Sequence, residues 1–270
     1  MQNIVHYIVL VSGLVACCML TPAHADDKSQ PSIAIIIDDI GYRLHEDIRA
    51  IGLPGQVAYA IMPHSPHARK MSALANSLGK DVLVHMPMQA TEDEKNDFLG
   101  PGALTLQMTR EEFNRTLELG IQSIPHATGV NNHMGSLLTR HPGHMEWLME
   151  SLKLHNKYYV DSVTSNQSVA ANIAREAKLP YLSRDVFLDN DQSDEAIQQQ
   201  FDKLLEIAKR KGVALAIGHP HPQTLSVLSR NLLLLDTTGV KLISPRQMLK
   251  RKQNRRQQLK KVSLKNQAFP

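Results

Sequence analysis

Cysteine and aromatic residues are scarce in this chain. Its 270 residues include two cysteines, Cys17 and Cys18, and both lie in an apolar segment at the amino terminus. Once that segment is removed, the chain can form no disulfide, thiolate metal site or cysteine nucleophile. A cysteine-free exported protein fits an oxidising compartment such as the bacterial periplasm. Aromatic residues account for 4% of the chain, which argues against an extended groove lined by stacking rings.

Charged side chains are absent from residues 1–25. Most residues between Ile8 and Leu20 are apolar, and Ala23-His24-Ala25 places small residues where a signal peptidase reads them. The segment is too short to span a bilayer comfortably. We therefore expect a secretory signal peptide cleaved after Ala25, and a mature periplasmic protein with no transmembrane span. A lipoprotein cleavage site at Cys17 is the open alternative.

Acidic residues are absent from the basic tail, residues 250–270, which holds eight lysines and arginines. The net charge of +4 therefore conceals a body, residues 26–249, with 22 basic and 26 acidic side chains and a net charge of −4. The tail is typical of a solvated helix end followed by disorder, with weak contact to an anionic surface as the lesser alternative. No segment indicates a nucleic-acid-binding domain. We predict a short linker over residues 26–32 and one folded domain over residues 33–249.

Glycine-rich nucleotide motifs are also missing, since the chain has neither GxGxxG nor GxxxxGK. Apolar β-branched runs instead alternate with amphipathic segments seven or eight times. This alternation predicts an α/β fold of parallel βαβ units, closed as a barrel or open as a doubly wound sheet. The predicted strands cover residues 33–37, 57–62, 81–85, 128–132, 158–160, 181–182, 213–217 and 240–243.

The first predicted strand ends in two adjacent carboxylates. Ile33 to Ile37 is a short, continuous apolar run that favours a strand buried on both faces, and Asp38, Asp39, Ile40 and Gly41 follow it. Adjacent carboxylates repel each other unless a cation or a proton lies between them. The alternative is that Asp38 or Asp39 caps the next helix.

Polar side chains follow five more predicted strands. They are His85, the Asn131-Asn132-His133 run, Asp161, the Arg184-Asp185 pair, and His219 with His221. The carboxyl ends of parallel strands share one rim, where active sites of such folds are built. Imidazoles and carboxylates without thiolates favour a divalent metal, Zn²⁺ first. A neighbouring carboxylate could then take a proton from water while a histidine protonates a leaving group.

Five sequence segments resemble the divergent polysaccharide deacetylase family, which is related to the NodB-homology carbohydrate esterases. The segments are IDDIG at 37–41, VHMPM at 84–88, NNHMGS at 131–136, RDVFLD at 184–189 and GHPHP at 218–222. The resemblance covers residues 33–245 in the expected order. It implies an irregular (β/α) barrel of about seven parallel strands, with a metal site at the strand carboxyl ends.

The resemblance also implies roles for particular residues. Asp38 matches the catalytic base and Asp39 the metal-binding aspartate, while His85 matches the first of two histidine ligands. Gln89 stands where the second histidine is expected. We predict that His133 replaces it, because the fourth strand lies beside the third.

The remaining roles concern the leaving group and the substrate. His219 matches the histidine that protonates the leaving group. The arginine-proline motif of the better-known esterases is absent and Asn131-Asn132 stands in its place. We predict that five further residues orient these groups or bind the substrate: Asn132, Asp161, Arg184, Asp185 and His221.

Two functions follow from this pattern. The first is a periplasmic, metal-dependent hydrolase that removes acetyl or similar acyl groups from an envelope glycan. The second is a barrel without turnover that binds a glycan or an envelope protein. The scarcity of aromatic residues favours a small or end-on substrate in either case, and a turnover measurement separates the two.

Overall fold

The computed structural model of the chain describes residues 30–267. The predicted signal peptide, its cleavage after Ala25 and the lipoprotein alternative at Cys17 lie outside the described residues, as does the start of the predicted linker. Within residues 30–267, no helix combines the length and apolar character that a membrane crossing requires.

Strands and helices alternate along the described chain. The strands are β1 (Ser32–Ile40), β2 (Ala58–Ile61), β3 (Val82–Met88), β4 (Gly129–Met134), β5 (Tyr158–Asp161), β6 (Tyr181–Ser183), β7 (Val186–Phe187), β8 (Val213–Gly218) and β9 (Lys241–Leu242). The helices are α1 (Leu44–Ile51), α2 (Ala68–Ser77), α3 (Asp93–Asn96), α4 (Arg110–Ser123), α5 (Pro142–Leu154), α6 (Ala170–Glu176), α7 (Asp194–Lys211), α8 (Pro222–Leu233) and α9 (Pro245–Gln267). Each predicted strand overlaps one of these strands, and β7 has no counterpart among the predictions.

All pairings in the sheet are parallel, in the order β6-β5-β4-β3-β2-β1-β8-β7, with β9 also paired to β1. The two edges meet in one short segment. Arg184 N donates to Asp161 O (3.0 Å) on β5, and Asp185 N donates to Leu215 O (2.8 Å) on β8. Because consecutive residues bond to opposite edges, the sheet curls into an irregular, incompletely closed barrel. The predicted (β/α) barrel is confirmed over the open doubly wound sheet.

The barrel wall separates two apolar layers. Ile33, Ile35 and Ile37 pack in the outer layer beneath the helices, whereas Ala34 and Ile36 pack in the inner layer. This alternation is the two-residue period of a strand buried on both faces. Two side chains of α9, Met248 and Leu249, complete the inner layer.

The end of β1 departs from the prediction. The strand does not end at Ile37 but continues to Ile40, with an irregular register against β2 between those two residues. Asp39 lies inside the irregularity, in the left-handed region with φ of 59°. A local bulge in the strand, and not a loop after it, therefore sets the direction of the two carboxylates.

Helix α9 lies across the amino ends of the strands. Asp81, which precedes β3, accepts hydrogen bonds from Arg246 N (3.1 Å) and Arg246 Nε (2.6 Å). Arg255 Nη1 donates to Lys211 O (2.9 Å), just before β8. The boundary predicted at residue 250 thus falls within one continuous helix whose first part packs on the barrel.

Candidate metal centre

The inner face of the barrel is apolar along the strands and becomes polar at the end where the strands have their carboxyl termini. Ile36, Leu83 and Ile217 belong to the inner apolar layer. Two residues further along the same three strand segments stand Asp38, His85 and His219. Since side chains two apart share a face, the strand alternation carries these polar groups to one mouth.

Asp39 joins this group only because of its backbone conformation. Regular alternation would direct it away from Asp38. With a positive φ, which aspartate tolerates better than most residues, its Oδ1 lies 3.1 Å from His85 Nε2. Asp38 Oδ2 lies 3.6 Å from the same nitrogen. Both carboxylates therefore face one imidazole.

Three ligand-type atoms form a triangle of equal sides. Asp39 Oδ1 is 3.1 Å from His85 Nε2 and 3.1 Å from His133 Nδ1, and the two ring nitrogens are 3.1 Å apart. Ligands about 2.0–2.1 Å from a tetrahedral Zn²⁺ are separated by about 3.3 Å. The spacing of the three atoms is therefore compatible with a shared ion, although each distance also lies within hydrogen-bond range.

Asp39 supplies an independent test of this fit. Its side chain is 36% exposed, yet its Oδ1 is buried and has no properly oriented hydrogen-bond partner among the described residues. Burial alone would raise the pKa of Asp39, but the adjacent rings of His133 and His85 outweigh it and hold that pKa well below its usual range. A buried carboxylate oxygen that faces two imidazole nitrogens without a well-oriented hydrogen bond is suited to share a cation with them. Asp39, His85 and His133 fit a divalent metal on these grounds.

Asn131 connects the triangle to Asp38. Its Nδ2 donates to Asp38 Oδ1 (2.9 Å), so its Oδ1 faces His85 Nδ1 (3.0 Å) and accepts from it. This assignment places the proton of neutral His85 on Nδ1 and leaves the Nε2 lone pair directed at the triangle. Asn131 is thus the partner that fixes a histidine ligand in its metal-binding tautomer.

Asp38 is enclosed and differs from Asp39 in its electrostatics. It is 2% exposed, and burial raises its pKa, with opposing contributions from His85 and His219. Its Oδ1 is held by Asn131, which leaves Oδ2 toward the triangle. A buried carboxylate with a raised pKa is suited to accept a proton.

His219 faces the cluster from the opposite side. Its Nε2 is 3.8 Å from Asp39 Oδ2, and its Nδ1 is 3.0 Å from Asp189 Oδ1. Asp189 Oδ2 also accepts from His219 N (2.6 Å) and Thr224 Oγ1 (2.8 Å). Burial alone would lower the pKa of His219, but the bond to Asp189 and the charges of Asp39, Asp189 and Asp38 raise it to about 9. Asp189 therefore orients a histidine that is protonated at neutral pH.

His221 adds a second possible ligand group with Asp189 and His219, whose ligand atoms also lie within 4.8 Å of one another. Here both Asp189 oxygens already accept hydrogen bonds, in contrast to the bare Asp39 oxygen. His221 Nε2 faces Gln192 Nε2 at 3.2 Å, and its ring lies 5.8 Å from that of His219. This group has the character of an orienting pair with His221 at the rim.

Asn132 lies on the other face of β4 from Asn131. Its Oδ1 accepts from Tyr159 Oη (2.9 Å) and Ser162 N (2.9 Å), and its Nδ2 donates to Met134 O (2.7 Å). The structure does not bring Asn132 into the cluster, and its contacts hold the ends of β4 and β5 together.

Asp161 and Arg184 brace the loop after β5. Asp161 accepts from Val163 N (2.9 Å) and Ser168 Oγ (2.9 Å), and Arg184 donates to Ser162 O (2.6 Å) and Val163 O (2.8 Å). Val163 has a φ of 51°, an outlier for a β-branched residue. The pair therefore supports strained backbone beside the mouth and contacts none of the three triangle residues.

Asp185 and Gln89 are used elsewhere. Asp185 pairs with Lys211 Nζ (2.9 Å) and accepts from Leu215 N (3.0 Å), away from the cluster. Gln89 Oε1 accepts from Leu106 N (2.9 Å) and so holds the long loop after β3. Gln89, at the position where the second histidine is expected, thus has a structural role. His133 instead places a ring nitrogen next to His85 and Asp39.

The sequence reasoning missed Asn131 and Asp189 as site residues. Strand alternation offered a signal for the first, because Asn131 and His133 are two apart and share a face. Asp189 lies within the quoted 184–189 segment, but it follows the unpredicted strand β7, which brings it beside His219.

Comparisons with known proteins give a consistent result. A sequence model described as divergent polysaccharide deacetylase matches residues 35–249. The uncharacterized protein YibQ of Escherichia coli (strain K12) is 37% identical over 214 residues, which cover 78% of this chain and 66% of that protein. The chain thus spans just under two thirds of the length of that relative.

Two solved structures share the fold. The uncharacterized protein ATU2773 from Agrobacterium tumefaciens C58 has a TM-score of 0.77 at 21% identity, over 80% of this chain and 87% of that one. A BA3943 mutant, described as a CE4 family pseudoenzyme, has a TM-score of 0.51 at 10% identity, over 82% of this chain and 68% of that one. At these identities the likeness concerns the fold alone.

Proposed function

The chain belongs to the divergent polysaccharide deacetylase family, and from this premise we propose that it is a periplasmic hydrolase using a divalent metal, Zn²⁺ by preference. Its substrate in this proposal is an envelope carbohydrate from which it removes acetyl or similar acyl groups. Export to the periplasm is supported by the predicted signal peptide.

One observation carries the proposal. The Oδ1 of Asp39, the Nε2 of His85 and the Nδ1 of His133 are mutually 3.1 Å apart, and the carboxylate oxygen is buried without a donor. These three residues would hold the ion, which when bound supplies Lewis-acid chemistry at an acyl carbonyl.

Asp38 is the general base in this proposal. Its Oδ1 is engaged by Asn131, so Oδ2 accepts the proton of the attacking water. The water oxygen bonds to the acyl carbon, and the bond from that carbon to the sugar nitrogen or oxygen breaks.

His219 is the general acid. Asp189 holds its Nδ1, so the Nε2–H points to the mouth and donates a proton to the leaving nitrogen or oxygen. The proton lost by water to Asp38 and the one given by His219 balance over the reaction. Phe187, edge-on to the His219 ring at 5.3 Å, limits the rotation of that ring.

The experiment compares Asp38→Asn with the wild type. Asparagine keeps the shape of Asp38 and can accept from Asn131 with its amide oxygen, so metal should be retained. Acetate release from acetylated cell-wall fragments should fall about 10²–10⁴-fold, the usual contribution of a positioned base. Metal content is measured on the same samples.

A wild-type protein that holds its ion and binds the fragments without releasing acetate would contradict the hydrolase. That outcome favours the glycan-binding barrel, in which the same three residues serve only to hold the ion.

A further inference from the structure

The end of the barrel opposite the metal centre is strongly cationic. Three cavities, of about 260, 770 and 820 Å³, lie against α9, which crosses the amino ends of the strands and contains no acidic residue. The second cavity lies between the last turn of α7, the start of β8 and α9. Eight lysines and arginines line it: Arg184, Lys209, Arg210, Lys211, Arg251, Lys252, Arg255 and Arg256.

The residues that line this cavity carry far more positive than negative charge. Asp185 is the one carboxylate among its lining residues, and it is already paired with Lys211 at 2.9 Å. Lys252 is partly buried, and its burial together with Arg256 and Lys211 lowers its pKa. Basic residues at the end of α7 suit the helix dipole, and Arg255 of α9 bonds the Lys211 carbonyl at that helix end, but Lys252 and Arg256 add further positive charge from the side. An anionic partner would relieve this crowding.

The cavity is also apolar at its base. Val213 and Met248 lie among the lining residues; Met248 belongs to the inner apolar layer and Val213 packs against it. A cationic rim over an apolar base fits an anion that carries aliphatic groups next to its charge. A lipid phosphate with its glycerol and acyl esters has this character, whereas a fully hydrophilic polyanion gains nothing from the apolar base.

We infer that the face formed by α7 and α9 docks on anionic phospholipid headgroups at a membrane surface. The strands β1 and β8, which run between the two ends, are nine and six residues long, which corresponds to about 20–30 Å. Docking by this face therefore directs the metal centre away from the membrane, toward the envelope polymer. The inference uses the proposed export but not the proposed hydrolysis.

The test uses the chain from Asp26 onward, which contains every described element and omits the apolar amino-terminal segment. Sedimentation with phosphatidylcholine vesicles is compared with sedimentation with vesicles containing roughly one third phosphatidylglycerol. The wild type should bind the anionic vesicles alone and be released by salt.

The variant Lys252→Gln/Arg256→Gln removes two cations from the cavity. Each cation near an anionic surface strengthens binding about fivefold, so the variant should lose about 25-fold in affinity. The matched control, Arg69→Gln/Lys70→Gln on α2, makes the same change of charge on exposed residues elsewhere and should lose less than about threefold. Metal content and turnover of a soluble substrate should be unchanged in both.

Equal losses in the two double variants would overturn the docking face, because binding would then follow net charge alone. Binding to soluble polyphosphate without binding to anionic vesicles would also overturn it, in favour of a hydrophilic polyanion. Vesicle binding by a protein that shows no hydrolysis would support the docking face and contradict only the proposed reaction.

Discussion

Asp39 is the residue on which the metal centre depends most. Its positive φ brings a second carboxylate to a face that strand alternation gives only to Asp38. Alanine at this position would cost about 1–2 kcal/mol for the left-handed backbone alone. Asparagine tolerates that conformation and removes only the charge, so Asp39→Asn isolates the electrostatic role.

Asn131 should control metal affinity without being a ligand. In Asn131→Ala, His85 Nδ1 loses its acceptor and Asp38 Oδ1 its donor, so the His85 tautomer is no longer fixed. Loss of such a partner costs about 10–100-fold in metal affinity. We expect a weakening of that size, measured as the Zn²⁺ dissociation constant by competition with a chromophoric chelator.

Asn132→Ala is the matched control, because it removes the neighbouring amide from the opposite face of β4. Its partners, Tyr159 and Ser162, are structural, so the free energy of unfolding should fall while Zn²⁺ affinity changes by less than about threefold. A larger loss of affinity in Asn132→Ala than in Asn131→Ala would refute the assigned roles.

At the residue scale, strand alternation explains which of the predicted site residues the structure brings together. The convergence of Asp38, His85 and His219 could be expected because each lies two residues after an apolar residue of the inner layer. The positive φ of Asp39 could not be expected, because the two-residue pattern of a strand does not indicate where a bulge occurs. Asp185 and Arg184 were predicted together, but the chain turns from one sheet edge to the other between them and sends Asp185 to Lys211.

At the scale of elements, the turn after β1 holds the carboxylates in place. Gly41 has a φ of 128°, and a Cβ there would lie 2.0 Å from Ser65 Oγ. Its N–H donates to Asp47 Oδ2 (2.9 Å), which ties the turn to α1. The sequence indicated a glycine turn at this point, but the contact with Ser65 comes from the loop after β2 and has no local signal.

Gly41→Ala should therefore destabilise the fold. The clash and the left-handed backbone together should lower the free energy of unfolding by about 2–4 kcal/mol, measured by urea denaturation. Gly79→Ala is the control, because Gly79 also has a positive φ (68°) but no atom within 4 Å of the added Cβ. It should cost about 1 kcal/mol, and equal costs for the two variants would show that Ser65 does not constrain the turn.

At the scale of the whole molecule, the two ends of the barrel differ in chemistry: imidazoles and carboxylates gather at one and lysines and arginines at the other. The alternation of strands and helices predicted parallel strands and a shared rim, which the structure confirms. Closure was implied by the family resemblance and not by the strand pattern, because it depends on two short strands, β6 and β7, that pair with opposite edges. The cationic end was visible only as a basic tail, since its partners on α7 are distant in sequence.

The central claim is that one divalent ion is held by Asp39, His85 and His133. The most direct measurement is the number of metal ions bound per chain. It is obtained by elemental mass spectrometry after the protein has been dialysed against trace Zn²⁺. The wild type, Asp38→Asn and the exposed-histidine control His126→Ala should each hold one ion, because none of these changes removes a ligand. His85→Ala and His133→Ala should hold almost none, since each loses one of three ligands, and Asp39→Asn should hold almost none because a neutral amide oxygen replaces the charged one. Full occupancy in a variant carrying both His85→Ala and His133→Ala would contradict the site.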